Sequence, residues 1–420
     1  MIDALFAGAG LAQSVREAAH QAARFLYDES TPSALANGRV RAAVLRAFVA
    51  EGIIESDLAE SLGYGYDDPA RARYESILCR LFGTERCLAR LSLVSGTHAI
   101  VTALAACAGP RGRIVAATGR PYDTLRNALV EAPGSLCEQG IGYEELDLRA
   151  DGAIDYDGLA EACARGADVV FIQRSRGYAP RRSLTAQECG AAARVAKNSA
   201  PGVVTIADNC YGELVEPSEP VHHGVDVIAG SLLKNLGGGI APGGGYVAGP
   251  ADAIERVASR HFAPGLGSAV GPTLGHGRAL LQGLFYAPLV VGEALRGLDA
   301  AAALFAALGY AVDPAAGSRR ADVVQAIRLG TRGRLAAFAR GLQRTMPVNA
   351  GFAPQPGRVP GYREPVVMSS GAFVSGSTID LSCDAPLRDP FEVYLQGGIV
   401  REHVLLGAAF AADELLKEAK

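Results

Sequence analysis

Between residues 71 and 250, short β-branched runs take turns with segments of helical character, and that alternation leaves few folds open. YESILCRLFG has helical spacing, CLARLSLV reads as extended, and SGTHAIVTALAACAG is helical again. RIVAAT, GYEELDL, ADVVFIQRS, VVTIADNCYG, VDVIAGSLLK and GGYVAG read as strands. TLRNALVEA, YDGLAEACARG and TAQECGAAARVAKNSA read as helices between them. The strand runs are short and largely apolar, as strands covered by helices on both faces must be. The pattern predicts an α/β domain around a mostly parallel sheet.

Open sheets of this kind bind ligands outside the carboxyl ends of their strands. Four such ends carry polar residues: Ser95-Gly96-Thr97, Gln173 to Arg176, Asp208-Asn209, and Lys234. At Ser95-Gly96-Thr97-His98 a strand gives way to a helix, whose unpaired first-turn amides suit a phosphate; an ordinary serine cap reads the same way. Asp208 closes an apolar run, so its carboxylate needs a cationic or hydrogen-bonding partner, either a protonated ring nitrogen or a structural turn.

Lys234 is followed by six glycines within eleven positions, and Ser231 lies three residues before it. An amine placed at the ligand edge can form a Schiff base once deprotonated. Gly237, Gly238 and Gly239 would let backbone approach a flat ligand closely. A phosphate-binding P-loop is excluded, because no Gly-Lys-Ser or Gly-Lys-Thr closes the glycine run. Tyr122 could stack on a flat ring or fill core. Tyr64 and Tyr66, in GYGYDD, have no obvious core to fill. Arg174 and Arg176 could hold a carboxylate or a phenolic oxygen, or stand solvated at the surface. His98, His222 and His223 lack metal-ligand spacing, so no metal site is predicted.

Beyond residue 255 the character changes. LGHGRALLQGLFYAPLVVGEALRG and AAALFAALG read as two helical stretches. DVVQAIRLG, PVVMSSGAFVSGSTIDLSC and EVYLQGGIV read as strands, with GRLAAFARGLQ a helix among them. The expected division is an amino-terminal helix and arm (1–70, with the arm in the Gly-, Pro-, Asp- and Tyr-bearing stretch 28–70), a large α/β domain (71–255), and connecting helices with a small α+β domain (256–420). A net charge of −4 and the lack of a basic tract exclude nucleic acid and anionic membrane as expected partners. Glu293, Arg296 and Asp299 interrupt the longest apolar stretch and make it a packed helix. The amino terminus lacks a charged leader region, and eight cysteines without a CxxC pair read as buried free thiols. Both features predict a cytoplasmic protein.

SGTHAI, RPYDTL, FIQRSRGY, DNCYGELVEP, AGSLLKNLGGGIAPGGGYVAG, APLVVGEAL and VYLQGGIV, in order across residues 60 to 405, resemble the aluminium-resistance or methionine gamma-lyase family. These are fold type I pyridoxal-phosphate (PLP) proteins akin to the cystathionine beta-lyase branch. The resemblance implies that Lys234 holds PLP as a Schiff base and that Asp208 pairs with its ring nitrogen. It further implies that Ser95, Gly96, Thr97 and Ser231 cup the phosphate, and that Tyr122 stacks on the ring. Tyr64 or Tyr66 would reach the phosphate of a neighbouring subunit, making the protein a homodimer or homotetramer with shared sites. Arg176 matches the residue near the phenolic oxygen, and Arg388 or Arg176 is the candidate for the substrate carboxylate. The implied activity is a carbon–sulfur lyase acting on a small sulfur-containing amino acid such as cystathionine, cysteine or methionine, with Lys234, Asp208 and Tyr122 in the chemistry. An aminotransferase or racemase on the same scaffold, or a non-catalytic PLP-binding protein, are the alternatives. The family's KNPGGG and APTGG stand here as Lys234-Asn235-Leu236-Gly237 onward and Ala241-Pro242-Gly243, which leaves substrate preference open.

Overall fold

A computed structural model describes residues 2–418. Seven strands form the larger sheet: β1 (Arg86–Arg90), β2 (Arg113–Ala116), β3 (Gly142–Glu145), β4 (Val169–Gln173), β5 (Val204–Asp208), β6 (Val227–Ser231) and β7 (Gly245–Gly249). Their spatial order is β1-β7-β6-β5-β4-β2-β3. The run from β6 to β3 is parallel, whereas β7 lies antiparallel to both β6 and β1. The β4 and β6 residues are buried throughout, which explains their unbroken apolar runs. Register pairs Gln173 with Asp208 and Asp208 with Ala229, so the ends of β4, β5 and β6 line up at one edge.

Five antiparallel strands form the second sheet: β8 (Ala311–Asp313), β9 (Val324–Arg328), β10 (Val366–Ser370), β11 (Ser382–Pro386) and β12 (Glu392–Gln396), in the order β10-β11-β12-β9-β8. The helices Arg332–Gln343 and Arg401–Glu418 pack on each other beside it. The run expected as one strand from Pro365 to Cys383 is two, β10 and β11, with a loop between.

Two readings of the helical segments change. The stretches expected as separate helices after residue 273 form one continuous helix, Gly277–Ala307, with Pro288 inside it. A proline there removes a helical hydrogen bond. The carbonyl that loses its partner is that of Leu284, one turn earlier; the Asn37 amide donates instead to the carbonyl of Pro288 itself at 2.6 Å and ties this helix to the helix Pro32–Glu51. It fits because Gly292 opposite has no side chain; a Cβ there would stand 2.4 Å from Asn37 Oδ1. Much of the expected arm is also helix, Pro32–Glu51, started by the Thr31 side chain accepting from the Ala34 amide and stopped by Gly52 at φ 61°.

The tyrosine-bearing loop that follows is pinned. Arg71, itself buried, donates to the carbonyls of Gly65 and Gly271 at 2.7 Å each, to Ala269 at 3.1 Å and to Tyr66 at 3.4 Å. Among the described residues, no helix is long and apolar enough to cross a membrane.

Candidate active site

A cavity of about 340 Å³ opens at the carboxyl edge of the larger sheet, between it and the second sheet. Its near side is built from strand ends. Asp208 ends β5, 3% exposed, and its Oδ1 accepts from the Cys210 amide at 3.0 Å. The chain then turns through Tyr211 and Leu214, both non-glycine residues at positive φ (69° and 61°). Such backbone costs roughly 1–3 kcal/mol per residue and persists only when its surroundings hold it. Asn235 supplies that hold, its amide donating to the carbonyls of Tyr211 at 3.0 Å and Glu213 at 2.8 Å. The turn brings the Tyr211 ring beneath Lys234, whose Nζ sits 3.7 Å from the ring centroid.

The helix Gly96–Ala108 points its amino terminus at the same cavity. Ser95 caps it by accepting from the His98 amide at 3.1 Å. Gly96 has no space for a side chain: a Cβ would lie 2.9 Å from Cys210 Sγ and 3.3 Å from Ser231. The first-turn amides and the hydroxyls of Ser95, Thr97 and Ser231 therefore stand together. Tyr122 follows β2; its amide donates to Gln173 Oε1 at 3.1 Å, and its hydroxyl shares a 2.9 Å hydrogen bond with Thr97 Oγ1.

Charge in the cavity is strongly coupled. Burial opposes the charge of Lys234, but the acidic groups of Cys210, Tyr211, Tyr122 and Asp208 outweigh it and hold the amine above its ordinary pKa. Burial pushes the Asp208 carboxyl up, against the pull of Lys234 and the Cys210 amide. Burial, followed by Asp208, also raises the Tyr122 hydroxyl.

A buried polar layer underlies this side. Arg174 donates to Asn209 Oδ1 at 2.6 Å, to Glu219 at 2.9 Å and to Glu216 at 2.9 Å. Tyr246 donates to Glu213 Oε1 at 3.1 Å, while burial pushes the Glu213 carboxyl up to about 8. β6 can pass over Glu213 only because residue 230 is glycine; a Cβ there would lie 2.6 Å from Glu213 Oε1.

The far side comes from elsewhere in the chain. Met368 of β10, Asp384 of β11, Thr378 from the loop between them, and Tyr362 line it, with Tyr178 across from them. Tyr178 donates to Asp384 Oδ2 at 2.6 Å, and Gln396 donates to the same oxygen at 2.5 Å.

Seven of the residues picked from the sequence line this one cavity: Ser95, Gly96, Thr97, Tyr122, Asp208, Ser231 and Lys234. Four do not. Arg176 is buried against Asp313 and faces a separate cavity. Arg388 spends its donors on Asp123 at 3.0 Å, Glu364 at 3.3 Å and the Tyr178 carbonyl at 2.9 Å. Tyr64 and Tyr66 lie on the surface, 71% and 57% exposed, with ring centroids 5.5 Å apart. The glycines after Lys234 also serve a purpose other than the one expected. A Cβ at Gly238 would meet the Gly283 carbonyl at 2.4 Å, and one at Gly283 would meet the Gly237 carbonyl at 2.4 Å. Their bareness lets the lysine-bearing loop seat on the long helix, which fixes Lys234 from behind.

Tyr178, Tyr211, Tyr362, Asp384 and Gln173 are cavity residues that the sequence did not single out as site residues. Tyr178 and Tyr211 sit inside motifs quoted above, two positions beyond Arg176 and Asn209, so strand-end position was a usable signal for them. Asp384 carried no such signal.

The donor set fits a planar, phosphorylated pyridine aldehyde. A partly buried amine can bond the aldehyde, a buried carboxylate can meet the ring nitrogen, and a bare helix start with three hydroxyls can take the phosphate. Together with the large mixed sheet and the smaller antiparallel domain, this is the fold of the type I PLP-dependent enzymes. The chain belongs to the methionine gamma-lyase family, which it matches over residues 15–416. It is 39% identical over 379 residues to the uncharacterised protein YnbB of Bacillus subtilis, covering 89% of this chain and 90% of that one. A solved structure described as a carbon–sulfur lyase involved in aluminium resistance, from Clostridium novyi, superposes with a TM-score of 0.92 at 34% identity and 98% coverage of both chains. The PLP-dependent protein YhfS of Escherichia coli shares the fold at 16% identity, with a TM-score of 0.63 over 92% of this chain and 98% of that one.

Proposed function

We propose that this chain is a PLP-dependent carbon–sulfur lyase that acts on a sulfur-containing amino acid by β- or γ-elimination, releasing with water a thiol, a keto acid and ammonia. The observation that carries this reading is the placing of the Lys234 amine and the buried Asp208 carboxylate in one cavity, beside a helix start ringed by hydroxyls. The description of the Clostridium novyi relative as a carbon–sulfur lyase supports the choice of reaction.

PLP, when bound, supplies an electron sink for charge that develops at the substrate α carbon. Lys234 Nζ is the amine that would hold the cofactor and the base that would take the α proton. Asp208 is the carboxylate that keeps a proton on the ring nitrogen. The amides of the first helical turn, with the hydroxyls of Ser95, Thr97 and Ser231, bind the phosphate. Tyr122, tethered to Thr97, lines the same cavity, would stack on the cofactor ring and would pass a proton to the departing sulfur. The site is completed by a second copy of this chain, with Tyr64 or Tyr66 reaching the neighbouring phosphate; the exposure of both rings on a pinned loop supports this.

The test is a keto-acid and ammonia assay of purified protein with PLP on cystathionine, cysteine, methionine and their homologues. At least one should yield both products. If none does, the reading fails, and keto acid without free ammonia would point to amino transfer instead.

A further inference from the structure

Lys234 is the one cationic side chain among the cavity-lining residues, and no arginine joins it. On the reading above, Lys234 and Asp208 are both committed to the cofactor. That leaves Asp384, a second carboxylate, 3% exposed, on the far side. Its Oδ2 takes two hydrogen bonds, from Tyr178 at 2.6 Å and Gln396 at 2.5 Å, while Oδ1 takes none among the described residues. Burial pushes the Asp384 carboxyl up while these two donors and Lys234 pull it down, so a cation brought to its open oxygen would offset the cost of burying the charge. The walls beside it are aromatic: Tyr178 and Tyr362 lie 5.7 Å apart by centroid, with Tyr211 in the same cavity. Tyrosine faces beside a carboxylate oxygen are the setting in which an ammonium group is held, through a charge-assisted hydrogen bond and ring attraction together.

We propose that Asp384 sets substrate preference by binding a second ammonium group on the far end of the amino acid, so that the preferred substrates are thioethers carrying two amino groups rather than simple alkyl thioethers such as methionine. This rests on the lyase reading for the identity of the reaction, but not for the recognition itself.

The experiment compares two ligands that lack a carbon–sulfur bond and differ only at the distal amine: 2,7-diaminosuberate and 2-aminosuberate. Calorimetric titration of the PLP-loaded protein should show the diamino ligand binding about tenfold or more tightly, the gain expected of one charge-assisted contact. Asp384→Asn, which keeps the shape, should bring the two ligands within about twofold of each other. Equal binding of both ligands by the unsubstituted protein overturns the proposal, and that comparison needs no variant to fold. A difference that survives Asp384→Asn overturns it as well. Because neither ligand can be cleaved, a protein that makes no keto acid from any sulfur amino acid defeats the lyase reading while this measurement still stands. Where keto acid does form, Asp384→Asn should lower kcat/KM for cystathionine about tenfold relative to that for methionine. An equal fall for both would mark a role in the shared chemistry and overturn the assignment.

Discussion

The two sides of the cavity differ in how the chain makes them. On the near side, Ser95, Tyr122, Asp208, Ser231 and Lys234 each stand at, or a few positions beyond, the end of a strand in the larger sheet. On the far side, Met368, Thr378 and Asp384 come from two strands of the smaller sheet and the loop between them. The near side is therefore fixed by the sheet's own register, with Gln173, Asp208 and Ala229 abreast. The far side depends on one domain meeting another, joined across the cavity by the Tyr178–Asp384 bond. If the sides divide the labour as proposed, changes to the near one should abolish chemistry, and changes to the far one should alter which substrate is taken.

Lys234→Ala tests this division most severely. It should lower keto-acid release by at least about 10³-fold and remove the visible absorbance of the bound cofactor. A yellow, fully active variant would break the comparison outright. Asp208→Asn keeps the side chain's size and should lower turnover by about 10²-fold, measured as kcat with cofactor saturating. A change confined to KM would instead place Asp208 with the far side.

The layer beneath the near side exacts its own cost. Glu213 is raised from 4.5 to about 8, so between these values the folded protein keeps a proton that the unfolded chain has lost. The contribution of Glu213 to stability should therefore fall as pH rises from about 4.5 to 8, by up to about 1.4 kcal/mol per unit, and level off above. Glu213→Gln should remove that slope. Denaturant titrations at pH 5 and pH 8 would read it as a gain for the variant at the higher pH, and a slope unchanged by the substitution would assign the pH dependence to other groups. The smallest effect is expected across the cavity. Tyr178→Phe takes one of two donors from Asp384 and should raise KM for cystathionine about threefold to tenfold while leaving kcat within about twofold, by steady-state kinetics.

The same contrast explains what could be read from the sequence. Asp208, Lys234 and the Ser95-Gly96-Thr97 turn were legible because a parallel sheet brings its strand ends together, so position along the chain implies position in space. Asp384 follows the mixed run Thr378 to Cys383, within an antiparallel sheet where strand-end position says little about which face or edge meets a ligand. Arg388 lies four residues beyond Asp384, and its donors bind Asp123 and the Tyr178 carbonyl beside the cavity. The sequence divides the long helix after Gly297, where the charged Asp299 interrupts the apolar run, but the helix continues through it because Arg320, distant in sequence, pairs with the buried Asp299 at 2.8 Å. The glycines after Lys234 were recognised as a demand for close approach, but the approaching partner, Gly283, could not be inferred from composition.

Arg71 has a consequence for association. By gathering four carbonyls from two distant segments, it freezes the loop carrying Tyr64 and Tyr66 before any other molecule arrives. A surface docking there would meet a ready-shaped aromatic pair and forfeit little chain freedom on contact, so its grip would owe more to fit than to folding.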